Sequence, residues 1–536
     1  MKRKIKYCIL LTVSFFALHL TPYTLHVIFA QEPIVLPPVV IKGQDKSTEA
    51  AGGVERSPGP IIREVLPRIS REAAPRQENS FFTMGMTGGG YNYLEWKATG
   101  GKQAGADFLI TLDRISEGDY GVNGRLQSYS SDNFSADFSF PVFKTSSVYT
   151  VVQYFGRDEL FTHPALLQYG GNVLKHWTRS LQADAGWKGR FGELSVSVGP
   201  KYSYTAVDDR MLNIVNTAPL PADMAQEIKG GLKFAAGARV GGHAVSGEIY
   251  YENESRVNRP QNGNNFTVFI ADSFRISGLP DWQFRGAFRY MYLYRLSSQT
   301  VLNPELSASC EMKNGIRLLA DLKRESVIPG YGMFTGRFIQ FSPDLNAEHS
   351  WCFDASAGGK FSALGNRLGG FWSAGLFTRV SQDYIAYGDT GSQWAPFNIA
   401  FVNQSGPAVS AGVRLSLFGG DIVGKADYKL RFYSASAANV PYLPRDELSF
   451  RAGYELGGFS AYLDGNFRDA VCADTTPGSR LVKGYCITSL DAGYTVRNGI
   501  KFFFSIENIF DLLPYEALSD YPCKGRSFKL GTELKF

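Results

Sequence analysis

From residue 79 to its end the chain keeps a two-residue period. Ile422, Gly424, Ala426, Tyr428, Leu430 and Phe432 fall on one side of an extended segment, and Lys425, Asp427, Lys429 and Arg431 on the other. Trp282, Phe284, Gly286, Phe288, Tyr290 and Tyr292 oppose Gln283, Arg285 and Arg289, and Phe108, Ile110 and Leu112 oppose Asp107 and Asp113. Ile316, Leu318, Ala320 and Leu322 oppose Arg317, Asp321 and Lys323. Side chains alternate across a strand, so each segment has one apolar face and one wet, charged face. Composition agrees: 57 Gly, 28 Tyr and 39 Phe among 536 residues, with 20% charged, describe many strands joined by tight turns. Past residue 30 no run of 18 apolar residues occurs, which excludes membrane helices there.

A two-sheet sandwich also alternates, burying its apolar faces against each other. Two features favour a transmembrane barrel. The polar face carries both signs of charge along its whole length, as a wet lumen requires. Connections also alternate in length. Short ones are expected near Pro141–Thr145, Arg190–Gly192, Gly241–His243, Lys313–Gly315, Gly419–Gly420, Gly457–Gly458 and Asn498–Gly499. Long ones are expected near 115–131, 157–177, 207–225, 326–345, 387–403, 471–484 and 510–524. That asymmetry marks an outer-membrane barrel, whose closure leaves no unpaired edge in lipid. The reading is an all-β, antiparallel transmembrane β-barrel over residues 79–536, with roughly 22 strands, an even number because both ends face the periplasm. Asp107, Asp113, Arg285, Arg289, Asp321, Lys323, Lys425, Asp427, Lys429, Arg431, Asp464 and Arg468 are placed toward its lumen.

Residues 1–30, basic and then apolar, read as a signal peptide cleaved after Ala30, the alternative being a membrane anchor. Residues 31–78 are a flexible Pro- and Gly-rich periplasmic segment with at most a helical turn near Ile62–Leu66. Within it Val39, Val40 and Ile41 close a short β-prone patch, which serves either as extended linker or as a strand offered to a partner's sheet edge. Cysteines are too few for a disulfide scaffold, although Cys472 and Cys486 bracket one loop and are either bonded or free thiols. No catalytic, metal or cofactor motif is present, and a net charge of +5 is too mild and dispersed for nucleic acid. The reading is of a non-enzyme without cofactor.

The last strand places Phe528, Leu530, Thr532, Leu534 and Phe536 on one face. Before it come Asn508-Ile509-Phe510-Asp511, Tyr515, and Tyr521-Pro522-Cys523-Lys524-Gly525-Arg526. This ending resembles the C-terminal pattern of TonB-dependent receptors, and Gly88–Tyr93 and Ser116–Asn123 resemble that family's first strands and first long loop. The resemblance implies a 22-stranded barrel taking up solute across the outer membrane. It implies Phe528, Leu534 and Phe536 as the signal read by the barrel-assembly machinery, and Val39–Ile41 as a TonB box for an energy-coupling partner. One departure matters. Only residues 44–78 lie between the box-like patch and the barrel, too few for the family's plug domain. A passive wide pore, a barrel closed by a separate plug subunit, or a surface-binding barrel are therefore the alternatives, and the solute is unknown.

Overall fold

The computed structural model describes residues 80–535 apart from 90–92, 105, 119–126, 144, 163–172, 213–224, 258–262, 277–278, 295–297, 313–314, 329–344, 365–366, 390–393, 480, 497–498 and 513–524. The signal peptide, the segment 31–78 with Val39, Val40 and Ile41, and the terminal Phe536 lie outside the described residues. Each strand pairs antiparallel with the next, from Ser80–Gly89 onward. The last strand, Ser527–Lys535, returns to pair with the first, in register from Thr83↔Lys535 to Gly89↔Lys529. The sheet is thus closed. Gly420–Leu430 and Phe432–Ala435 both pair with Trp394–Leu417 and form one spanning strand broken at Arg431, so the barrel has 22 strands.

The short connections gather at one rim and the long ones at the other. At the turn rim the chain reverses through Gly241-Gly242 and Gly457-Gly458, whose first glycines have φ of 60° and 55°. This is the left-handed region that tight hairpins require and glycine enters without cost. Phe418 also reverses the chain with positive φ (55°) and is 89% exposed. With Phe143, Phe191 and Phe459, also exposed, it forms an aromatic girdle at the turn rim.

The apolar faces point outward, as the alternation requires. Phe288, Ile270, Leu306 and Leu376 are exposed, and Phe288 lies directly across from Ile270. Replacing Phe288 with Arg is expected to cost about 2–4 kcal/mol in urea-dependent folding into lipid vesicles. Asp427→Arg, on the opposite face, should lose far less. Equal losses would mean that both faces pack against protein.

Several boundaries differ from the sequence expectation. Of the loop expected at 387–403, residues 387–389 and 394–403 are strand, because Leu368–Asp389 and Trp394–Leu417 run on well past the barrel wall. Other long loops are shorter than expected for the same reason, since Ser146–Thr162 and Val173–Phe191 continue into 157–177. A loop at 436–445 and a turn between Ala363 and Leu368 were not anticipated. Arg431 does not line the open lumen. It is buried, where its backbone N–H donates to Arg445 O (2.7 Å) and its guanidinium to Pro444 O (3.2 Å) and Glu447 (2.7 Å). These bonds fasten the 436–445 loop and break the strand. Cys472 and Cys486 are free thiols.

Candidate permeation pathway

The inward face is polar along the wall, and its charges are largely paired across neighbouring strands. Arg285 donates to Glu305 (2.7 Å), Lys97 pairs with Asp113 (3.4 Å), and Arg451 with Asp464 (3.4 Å). Lys425 pairs with Asp427 (2.7 Å), whose other oxygen accepts from Ser410 (2.6 Å). Aromatic rings on this face lie beneath cations: Lys429 over Phe377 (4.4 Å), Arg289 over Phe269 (5.4 Å) and Arg451 over Tyr462 (4.2 Å). The lumenal residues expected from the alternation therefore do share one face, Arg431 apart. The Asp107 side chain lies outside what is described. Among the described residues no His, Cys, Asp or Glu cluster has the geometry to hold a metal ion.

Beyond the wall, at the loop rim, the chain builds a second small core. Ala386, Ile399, Val402, Val440 and Leu443 are buried together, with Tyr384 and Phe397 against them. Below it Glu348, with 5% of its side chain exposed, accepts from Arg379 (2.8 Å), from Ser350 (3.0 Å) and from the backbone N–H of Ile385 (3.1 Å). A carboxylate taken from water must recover its hydrogen bonds from protein donors, and this one does. The loop 469–484 folds as a miniature hairpin, Val471–Cys472 against Leu481–Val482, and Tyr442 N–H donates to Cys472 O (2.9 Å). Burial and the nearby Asp474 push the Cys472 thiol above its usual range. Sequence reasoning missed Glu348 and Arg379, because only the strand register brings them together.

The C-terminal motif has a local physical explanation. Asn508 and Asp511 both adopt φ of 52°, a conformation that Asn and Asp tolerate better than most residues. The Asn508 carboxamide bonds the Leu512 backbone in both directions (2.5 and 3.0 Å). Asp511 accepts from the Arg526 N–H (2.6 Å), closing the loop onto the start of the last strand. That strand carries Phe528 outward and exposed, and Leu534 half-buried. Inward from it, Lys529 is buried, donates to Glu507 (2.6 Å) and lies 3.9 Å from the centre of the Tyr93 ring. Tyr93 in turn donates to Glu95 (2.6 Å). This network bonds the last two strands to each other, and through Tyr93 it faces the second strand across the closing seam.

The barrel closely matches solved structures. The structure titled "Copper transporter OprC" superposes with a TM-score of 0.67 at 14% identity, covering 85% of this chain and 80% of that one. The FrpB iron transporter from Neisseria meningitidis gives 0.63 at 12% identity, covering 86% and 82%. The siderophore receptor PiuA from Acinetobacter baumannii gives 0.64 at 12%, also covering 86% and 82%. At such identities the likeness establishes the fold alone. No curated protein matches the sequence. Residues 79–509 match the family described as TonB dependent receptor-like, beta-barrel. The chain belongs to the TonB-dependent receptor-like β-barrels of the Gram-negative outer membrane.

Proposed function

We propose that this barrel carries a solute across the outer membrane through its lumen. The observation that supports it is a closed barrel of 22 strands whose inner face carries charged side chains from strand to strand. A barrel of that strand number encloses a lumen wider than that of the porins, which are open channels, and in transporters of this size the lumen is plugged. Copper, iron and siderophore cargoes are named for the structural neighbours, and a solute of metal-chelate size is the corresponding proposal here. Val39–Ile41 would add as a strand to a TonB-like coupling protein, with residues 31–78 as their periplasmic tether. The second reading, a surface-binding barrel, draws on the packed core at the loop rim.

Liposomes containing the purified chain test the choice. They are expected to swell in isotonic raffinose, and deletion of residues 31–78 should leave the rate nearly unchanged. A large jump on deletion would make that segment an occluder rather than a tether. Absence of swelling with both proteins would leave the surface-binding reading.

A further inference from the structure

We infer that the lumen wall near the turn rim carries a recess that binds an oxyanion, the carboxylate, phosphate or sulfate of a solute. The inference rests on the lumen being the solute's route. Seven adjoining strands, from Gln127–Phe143 to Gly263–Ile276, form a cavity of about 630 Å³ here. Its inward positions hold the hydroxyls of Ser147, Ser195, Ser197 and Ser246, with Lys188 and Arg190 at one side. The recess exists because small side chains occupy consecutive strands at one level. At Gly237 an added Cβ would come within 3.2 Å of Ser195 Oγ, so even the backbone there has little room for larger side chains.

The recess carries positive charge that no carboxylate neutralises. Glu248 at its edge is taken by Lys233 (2.9 Å). Lys188 has no such partner among the described residues and stands over the Tyr149 ring at 5.7 Å. Arg190 donates its Nε–H to Gly192 O (3.0 Å) and has no ion pair among the described residues. Both side chains are exposed to the lumen. With Lys233 and Glu248 cancelling, two positive charges remain uncompensated beside the serine hydroxyls, of which Ser195 already donates to Gly237 O (3.1 Å). A charged wall of low dielectric focuses that potential into the recess and concentrates anions there. Arg190 keeps its paired Nη donors, the geometry that grips an oxyanion through two parallel bonds.

The test is binding of radiolabelled inorganic phosphate to the full chain in detergent, by equilibrium dialysis. Saturable binding is expected, weakened about tenfold or more in Lys188→Gln/Arg190→Gln, as loss of charge-assisted hydrogen bonds requires. Lys425→Gln, on another part of the wall, should bind as the parent does. Folding of each variant is checked by heat-modifiable gel migration, and Lys188→Gln alone, an exposed change, stands in if the double variant misfolds. Absence of saturable phosphate binding to the parent would overturn the inference, as would equal affinity in the parent and the variants. Because dialysis needs no open channel, phosphate binding without vesicle swelling would reject the transport route and keep the site. Swelling without binding would do the reverse.

Discussion

Glu348→Leu is expected to destabilise the loop rim by about 3–5 kcal/mol, the usual cost of leaving a buried charge without its partner. Arg379, with 16% of its side chain exposed, would keep its charge and lose the carboxylate that compensates it. Ser350 and Ser381 could still accept from its Nε–H (3.3 and 3.4 Å), but neutral hydroxyls recover only part of the loss. The backbone N–H of Ile385 would also be orphaned at the foot of the small core. The damage should therefore appear first as chymotrypsin cleavage within 383–443, and only then as a lower urea midpoint. Removing both charges, in Glu348→Leu/Arg379→Leu, should recover most of the stability, because an apolar pair of similar volume replaces a desolvated ion pair at little net cost. Equal sensitivity in the single and double variants would show that the carboxylate acts through its backbone contact and not through the pair.

That same region shows what the sequence could and could not reveal. Where one face meets lipid and the other a wet lumen, the two-residue period is clean, and Ile422 to Phe432 or Trp282 to Tyr292 could be read directly. Tight turns built on glycine were equally legible, since glycine pairs such as Gly457-Gly458 have little use elsewhere in a strand, whereas the turn after Ala363 has no such pair. Through 383–402 the period fails because both faces are covered. Ile385, Ala386, Tyr387 and Ile399 are all buried, so apolar residues occur at odd and even positions alike, and two paired strands looked like a loop. Arg431 was placed by alternation alone, and a strand break there cannot be seen without its bond to Arg445. Partners on distant strands were also hidden. The serine recess is formed by positions on seven strands, none of which is unusual when taken singly. The box-like patch and the C-terminal motif drew on resemblance instead, and of the two only the latter has its backbone explained by the structure.

Glu507→Ala should weaken closure of the barrel itself, again by about 3–5 kcal/mol. Its two oxygens accept from Lys529 (2.6 Å) and Ser527 (2.9 Å), and Lys529 is only 2% exposed. Without the carboxylate, a buried ammonium is left with the Tyr93 ring, and a cation–π contact supplies only about 0.5–2 kcal/mol of what the ion pair supplied. Lys529 cannot simply swing into water, because it sits directly across from Gly89 on the first strand. A Cβ there would already crowd Phe528 O at 2.3 Å. The penalty therefore falls on the pairing of first and last strands, the step that removes the sheet's final open edge. In vesicle folding assays the variant should accumulate protein that fails to show the compact, heat-modifiable band. Glu455→Ala, whose carboxylate lies at the turn rim and is 34% exposed, should fold as the parent does. Adding Lys529→Met to Glu507→Ala should restore the band by removing the stranded charge. Failure of that second change to rescue folding would place the role of Glu507 in its bond to Ser527, and the ion pair would not be what holds the seam.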